Sequence, residues 1–296
     1  MKLVTLFYLI DEFCKEYEPQ WQQSLLDSGL KQRRTTSRMS LSEILTVTIF
    51  FHQSGYRMFK WYYEQEVLGS GFVASCFPEA VSYTRFLELM GSSLVPLGHC
   101  LLWLCSLSAK TGIQFIDSTS IVVCSNLRIN RHKVFAGSAT RGHTSEGWFF
   151  GFKLHLVVND RGELLAIRLT PGNVSDANKT VVAGLTKGLR GKLFGDKGYL
   201  SKELFEQLWP QGLQLVTNIR RNMRQRLLPL WDKLMLRKRF IIETVNDHLK
   251  NNEQIEHSRH RSLTNFSVNL LAGLIAYQLQ PKKPQIRVPK VLLLGA

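Results

Sequence analysis

No Cys-x-x-Cys pair occurs in the 296 residues, and the five cysteines, at 14, 76, 100, 105 and 124, are odd in number and set among apolar neighbours. That excludes a disulfide framework and a cysteine-rich zinc module, and it reads as small core residues of a reducing compartment. No run of about 18 apolar residues suggests a transmembrane span. The apolar start MKLVTLFYLIDEFCKEY is interrupted by Asp11 and Glu12 before any small-residue cleavage site, so an amphipathic helix is expected there in place of a secretory signal. No internal repeat or low-complexity segment is present, and no long basic amphipathic helix favours a membrane surface. Acid is scarce: 23 Asp and Glu stand against 38 Lys and Arg, a formal net charge of +15. An enzyme of small metabolites has no general need of that excess. A protein lying along a polyanion does, because each phosphate it neutralises releases condensed counterions.

What is present divides into a helical start and a later run of strands. Leu3, Leu6, Phe7 and Ile10 recur at helical spacing, and SLSEILTVTIFFHQSGYRMFKWYYEQEV opens with Ser40 and Glu43 in capping-box positions. A break at Gly69 to Gly71 and Pro78 precedes VSYTRFLELM, another helix. KQRRTTSR carries Lys31, Arg33, Arg34 and Arg38 without an acid, which suits a solvated helical bundle or a helix-turn-helix. From Gly112 the pattern changes. GIQFIDSTSIVVC is a strand, followed by the basic loop NLRINRHKVFAGSATRGHT. GWFFGFKLHLVVND and ELLAIRLTPG flank the turn Arg161-Gly162 as a hairpin. A helix capped by Ser175, the strand GKLFGDKGY, the helix SKELFEQLWPQG, the strand LQLVTNI and one long helix PLWDKLMLRKRFIIETVNDHLKN complete the order. Three strands and then alternating helix and strand describe an α/β mixed sheet flanked by helices, behind an all-helical N-terminal region. The expected domains are residues 1–108, residues 109–280, and an extended, mobile, basic Pro-rich tail of residues 281–296.

Three carboxylates stand where strand chemistry meets an element's end. Asp117 sits inside an apolar strand, where it loses hydration and must recover it from hydrogen bonds, a cationic side chain or a metal. Asp196 ends KLFGD, and Glu243 lies beside the packing stripe of Phe240, Ile241, Ile242 and Val245. The separations are 79 and 47 residues. Converging carboxylates repel one another. Two Mg²⁺ or Mn²⁺ ions about 4 Å apart would cancel that repulsion and position a water or a 3′-hydroxyl for in-line attack on a phosphodiester. The plainer alternative is that Asp117 caps a turn with Ser118 and Thr119 while Glu243 pairs with Arg239. Asp160 and Asp176 occupy positions that Asp takes for backbone reasons, at a hairpin turn and near a helix start. Asp247, one helical turn after Glu243, is a candidate neighbour of the acids. Glu146 has no buried context.

FIDST, GDKGY and RKRFIIETVNDHLKN resemble the three acidic motifs of the DDE transposases of bacterial insertion sequences. With LSEILTVTIFFHQSGYRMFKWYYE, VSYTRF, HKVFAG, GWFFGFKLHLVVND, LTPGNVSD and IEHSRHRS, the likeness to the insertion-sequence 982 family runs in order over essentially the whole chain. The resemblance implies an RNase H-like catalytic domain in which Asp117, Asp196 and Glu243 bind two divalent metal ions. It implies cleavage and strand transfer at the terminal inverted repeats of a mobile element, a homodimer holding two ends, and a bacterial cytoplasm. Related proteins carry a Tyr and an Arg before the last acid and a Lys seven after it. Here Arg239 and Lys250 match, and Leu236 stands at the Tyr position. A nuclease that stops after hydrolysis and a decayed, non-catalytic DNA-binding repressor are the rivals. An RNA-binding protein finds no aromatic RNP-like motif.

DNA would lie on the basic rim of these acids. Helical spacing puts Arg239, Glu243, Asp247 and Lys250 on roughly one face, so Arg239 and Lys250 would meet phosphates, or else serve as helix ion pairs. Arg128, Arg131, His132, Lys133, Arg141 and His143 form an acid-free basic loop, and 11 Lys or Arg face 5 acids from Arg220 to Arg261. Lys197 and Tyr199 adjoin Asp196. Tyr199 is the aromatic expected to stack on a base, and Trp148 the one expected in the core. The two His of IEHSRHRS lack metal-ligand spacing and are expected to touch DNA or solvent.

Overall fold

The computed structural model describes residues 1–29, 37–145, 147–219, 227–256 and 260–287. The expectations for Lys31, Arg33, Arg34, Glu146, Arg220 and His257 fall outside those residues. The chain forms two compact units. One comprises residues 1–104 with 248–281, the other residues 105–247 with the segment that begins at Lys282.

The first unit is helical: α1 (Leu3–Asp27), α2 (Leu41–Gln53), α3 (Phe59–Tyr62), α4 (Phe72–Cys76), α5 (Tyr83–Ser92) and most of α6 (Leu94–Ser106). The capping box at α2 forms as expected. Ser40 accepts from the Glu43 N–H at 3.2 Å, and the Ser40 N–H donates to Glu43 Oε2 at 2.7 Å. Leu6 and Ile10 of α1 and Leu45, Val47 and Ile49 of α2 are fully buried.

The second unit is a mixed six-stranded sheet: β1 (Ile113–Cys124), β2 (Thr140–Thr144), β3 (Gly147–Asn159), β4 (Leu164–Pro171), β5 (Gly191–Gly195) and β6 (Leu213–Thr217), in the order β2-β3-β1-β5-β6 with β4 paired to β3. The long strand β3 is shared along one edge. Its first half pairs with β2 and its second half with β4, while β1 runs antiparallel along the other edge. Gly151 lies where the two halves meet, and a Cβ there would overlap the Ile121 carbonyl, so no larger residue fits. Helices α7 (Lys179–Thr186) and α8 (Lys202–Leu208) cover the sheet, burying Val181, Val182, Leu185, Leu204 and Leu208 against Ile116, Val157, Leu193 and Leu213. Each fully buried Leu contributes roughly 1.5–3 kcal/mol.

Several expectations are corrected. The basic loop contains the short strand β2, whose Thr140 to Thr144 stretch lacks the apolar alternation that marks a strand and takes its hydrogen bonds from β3. The cap of α7 is Asn178, which accepts from the Val181 N–H at 3.1 Å, and Ser175 lies outside the helix. The single long helix is two, α9 (Leu230–Arg237) and α10 (Phe240–Asn251), separated at Lys238 and Arg239. The last helix, α11 (Leu263–Gln278), packs on α2 and α5 and belongs with residues 1–104, so residues 109–280 are divided between the two compact units. Its buried Phe266, Val268, Leu270, Leu274 and Tyr277 require an apolar helical partner, which the N-terminal helices supply. The start of the tail is tied down: the Ile286 N–H donates to the Asp160 carbonyl at 2.8 Å.

Candidate active site

Parallel pairing of β1 with β5 sets two of the acids side by side. Phe115 lies opposite Phe194, and continuing that register by two residues sets Asp117, inside β1, level with Asp196, which follows the end of β5. Asp196 follows β5 and caps a short 3₁₀ turn over Lys197–Tyr199, its carboxylate accepting from the Gly198 N–H at 2.7 Å. Glu243 comes from the first turn of α10 and is exposed.

Arg239 links two of the three. Its guanidinium donates to Glu243 Oε1 at 2.6 Å and lies 3.7 Å from Asp117 Oδ2. The plainer sequence expectation for Glu243, an ion pair with Arg239, is therefore the geometry present, and Asp117 shares the same cation. Asn246 Nδ2 donates weakly to Asp117 Oδ2 at 3.5 Å. Asn246, not the exposed Asp247, is the α10 residue that reaches the acid. The Asp117 side chain is one-fifth exposed, and desolvation pushes its carboxyl up to about 7. Arg239 works against that rise, and the neighbouring charges of Asp196 and Asp176 add to it.

A second acid network adjoins Asp117 and was missed from sequence. Asp176 Oδ1 accepts from Ser118 Oγ at 2.6 Å and from Lys153 Nζ at 3.0 Å. Its position is thus more than a backbone matter. Lys153 is buried on β3, and two residues along His155 is fully buried, its Nε2 2.9 Å from Thr170 Oγ1. Burial holds that imidazole down at about 4, neutral at physiological pH. A charged Lys at an inward position of an otherwise apolar strand, GFKLHLV, was the signal available.

The residues expected to meet DNA fare unequally. Lys197, Arg131 and Lys133 are exposed. His132 stacks on Phe135 with ring centroids 5.4 Å apart. Lys250 pairs with Glu256 at 3.3 Å. The two aromatic assignments reverse. Tyr199 is 1% exposed and packs in the core beneath α7 and α8, so it presents no face to a base, and burial raises its phenol well above the ordinary value. Trp148 is 66% exposed at the start of β3, edge-on to His143 at 5.0 Å. The physical reason is position: Trp148 lies at the exposed start of β3 beside the hairpin's turn, whereas from Phe149 onward successive residues, which alternate between faces, are all buried, so both faces of the strand are covered there.

Among the described residues no group of three His, Cys, Asp or Glu is gathered closely enough to hold a metal ion. The donor set nonetheless fits a hard divalent cation in kind: carboxylate oxygens borne by adjacent strands, one of them desolvated and incompletely neutralised by a guanidinium 3.7 Å away. Glu243 is held by the Arg239 guanidinium at 2.6 Å.

A strand-borne Asp, a second Asp at the end of the neighbouring parallel strand and a helix-borne Glu lie on a mixed sheet flanked by helices. The fold is shared with a piggyBac transposase solved as a synaptic complex with hairpin DNA, at a TM-score of 0.50 and 10% identity over 94% of this chain and 74% of that one. The family described as Transposase DDE domain matches residues 107–263, and the chain belongs to it. Membership implies dependence on divalent metal. Among curated proteins none matches the sequence. No single described helix is long and apolar enough to cross a membrane.

Proposed function

We propose that the protein is the transposase of a bacterial insertion sequence, of the 982 type, that cuts DNA at its element's terminal inverted repeats and joins the freed ends to target DNA. Asp117, Asp196 and Glu243 are the metal-binding carboxylates, for two Mg²⁺ or Mn²⁺ ions. The observation that carries the reading is Asp117: a desolvated carboxylate level with Asp196, pushed up to about 7 despite Arg239, is the electrostatic state that a bound cation relieves. Bound divalent cations supply neutralisation of the attacked phosphodiester and activation of the attacking oxygen, water in cleavage and a 3′-hydroxyl in joining.

The chain's own residues position the substrate. Arg239, once released from Glu243, donates to a phosphate beside the scissile bond, while Lys197, Arg131 and Lys133 hold the flanking backbone. Asn246 orients the Asp117 carboxylate. Two ends must be joined in one reaction, so the active complex is a homodimer.

The test is cleavage and joining of a duplex that ends in the element's own terminal repeat, with Mg²⁺, comparing wild type with Asp117→Asn. Joined products that vanish in the variant while DNA binding persists are expected. The competing reading is a non-catalytic DNA-binding repressor, favoured by the 2.6 Å Arg239–Glu243 pair and the ungathered acids. Binding without wild-type cleavage in either Mg²⁺ or Mn²⁺ would establish it instead.

A further inference from the structure

The helical unit contains a cavity of about 990 Å³ that plays no part in the acid centre. Its size is at the upper end of the range for small-ligand sites, roughly 300–1,000 Å³. The mouth is cationic: Arg57, Lys60 and Arg261 line it and are exposed. Lys60 divides its charge between Glu64, at 3.6 Å, and the face of Tyr83, 6.0 Å from the ring centroid. Among the described residues no acid lines the cavity. Its walls include aromatic rings among apolar and amide side chains. Phe51 and Phe59 lie 5.2 Å apart edge to face, and Tyr83 stands 6.5 Å from Phe59.

Two imidazoles, His52 and His260, also line the cavity, and burial holds both down at about 4. They are neutral at physiological pH and act as further ring surface, so the positive charge stays at the mouth. The Nδ1–H of His52 donates to the Glu253 carbonyl at 2.6 Å, which fixes that ring. The next residue, Gln254, is the one non-glycine among the described residues with a left-handed backbone, φ 51°. Strain of that kind persists where surrounding structure enforces it and clusters at ligand sites. Gln254 Oε1 and Asn269 Nδ2, both on lining residues, are buried without a hydrogen-bond partner among the described residues. Buried amide atoms of that kind are satisfied when a ligand presents donors and acceptors of its own.

We propose that this cavity is a nucleotide site, taking a base among its rings with the phosphate on Arg57, Lys60 and Arg261 at the mouth. Every base has a π-face and every nucleotide an anion, so rings within and cations outside match a nucleotide better than an acidic peptide, which has no flat apolar part. The ligand is an unpaired nucleotide of a DNA strand or a free mononucleotide. The proposal deepens the reading of the protein as one that acts on DNA, and it does not depend on cleavage.

The experiment uses the full chain and a duplex carrying a short single-stranded overhang with 2-aminopurine, whose fluorescence falls when the base stacks. Wild type is expected to quench the overhang probe and to bind it about tenfold more tightly than the blunt duplex. Arg57→Ala/Arg261→Ala, both surface positions, is expected to lose the quench and that tenfold preference while still binding blunt duplex. Competition by millimolar dAMP identifies a free mononucleotide as sufficient, and quenching that dAMP leaves intact identifies the strand. No quench of the strand together with no binding of dAMP by wild type overturns the proposal, as does equal quenching by the double variant. Asp117→Asn must quench like wild type. Quenching without wild-type cleavage would remove the transposase reading and leave this site standing.

Discussion

In the sheet unit the buried Asp232 and the part-buried Asp176 and Asp117 lie beside cations: Asp232 with Lys192 at 2.6 Å, Asp176 with Lys153 at 3.0 Å, Asp117 with Arg239 at 3.7 Å. In the helical unit the buried Glu253 is met by the Gln280 amide, and the buried His52 donates to a backbone carbonyl. Burial pushes Glu253 up to about 7 and His52 down to about 4. One unit pairs its acids with cations, and the other carries its buried acid and imidazole towards neutrality, as burial also does to His155 of the sheet unit. Asp117 belongs to the first by its partner and to the second by its titration, since a guanidinium at 3.7 Å does not offset desolvation. A carboxylate left in that condition beside a second acid is suited to a cation of higher charge density.

The contrast is tested most severely by exchanging charge for amide in each unit. Glu243→Gln is expected to lower strand cleavage by about 10³-fold or more, as loss of a group that acts only in the transition state does. Glu253→Gln is expected to leave cleavage within about twofold. Equal effects measured in one assay would dissolve the distinction between the units.

The next effect is on stability. Tyr199→Ala is expected to cost about 3–5 kcal/mol in denaturant unfolding, because the ring is packed beneath α7 and α8. Tyr199→Phe, which removes a buried hydroxyl without a hydrogen-bond partner among the described residues, should be neutral or slightly stabilising. A Tyr199→Ala protein that is fully stable and yet defective in DNA binding would return that ring to the surface role expected from sequence.

The titration of Glu253 sharpens the comparison further. Its native carboxyl binds a proton more tightly than the ordinary group at 4.5, so its contribution to stability is full below about 4.5 and is lost as pH rises through about 7. Asp117 acts with the same sign. Glu253→Gln should therefore flatten the fall in stability over that interval by roughly 2–3 kcal/mol, which chemical denaturation at a series of pH values measures. An unchanged slope would place the proton elsewhere.

The smallest effect is at the exposed ring. Trp148→Ala should change folding stability by no more than about 0.5 kcal/mol and weaken binding of a duplex end by about 1–3 kcal/mol if a base stacks there. Titration of the variant with labelled duplex reads this directly, and unchanged affinity would leave Trp148 without a role in DNA binding.

The capping box at Ser40, the hairpin at Arg161-Gly162 and the free, mostly buried cysteines were all legible in the sequence. They depend on local propensity, turn chemistry and the apolar surroundings of each residue in the chain. The same reading placed Tyr199 outside and Trp148 inside, because composition tells which residues are apolar and not which side of a strand or turn faces the core. Asp176 looked like a turn residue until Lys153 and Ser118 were brought to it from two other strands. The division of the chain, with α11 among the N-terminal helices, was likewise decided by the burial of an apolar helix against a partner more than 200 residues earlier. Thus the sequence by itself determined the elements, their order, the basic character and the identity of the acids. Only tertiary structure decided which acid is desolvated, which is held by Arg239 and which rings line a cavity, because burial and electrostatic coupling belong to groups distant in the chain.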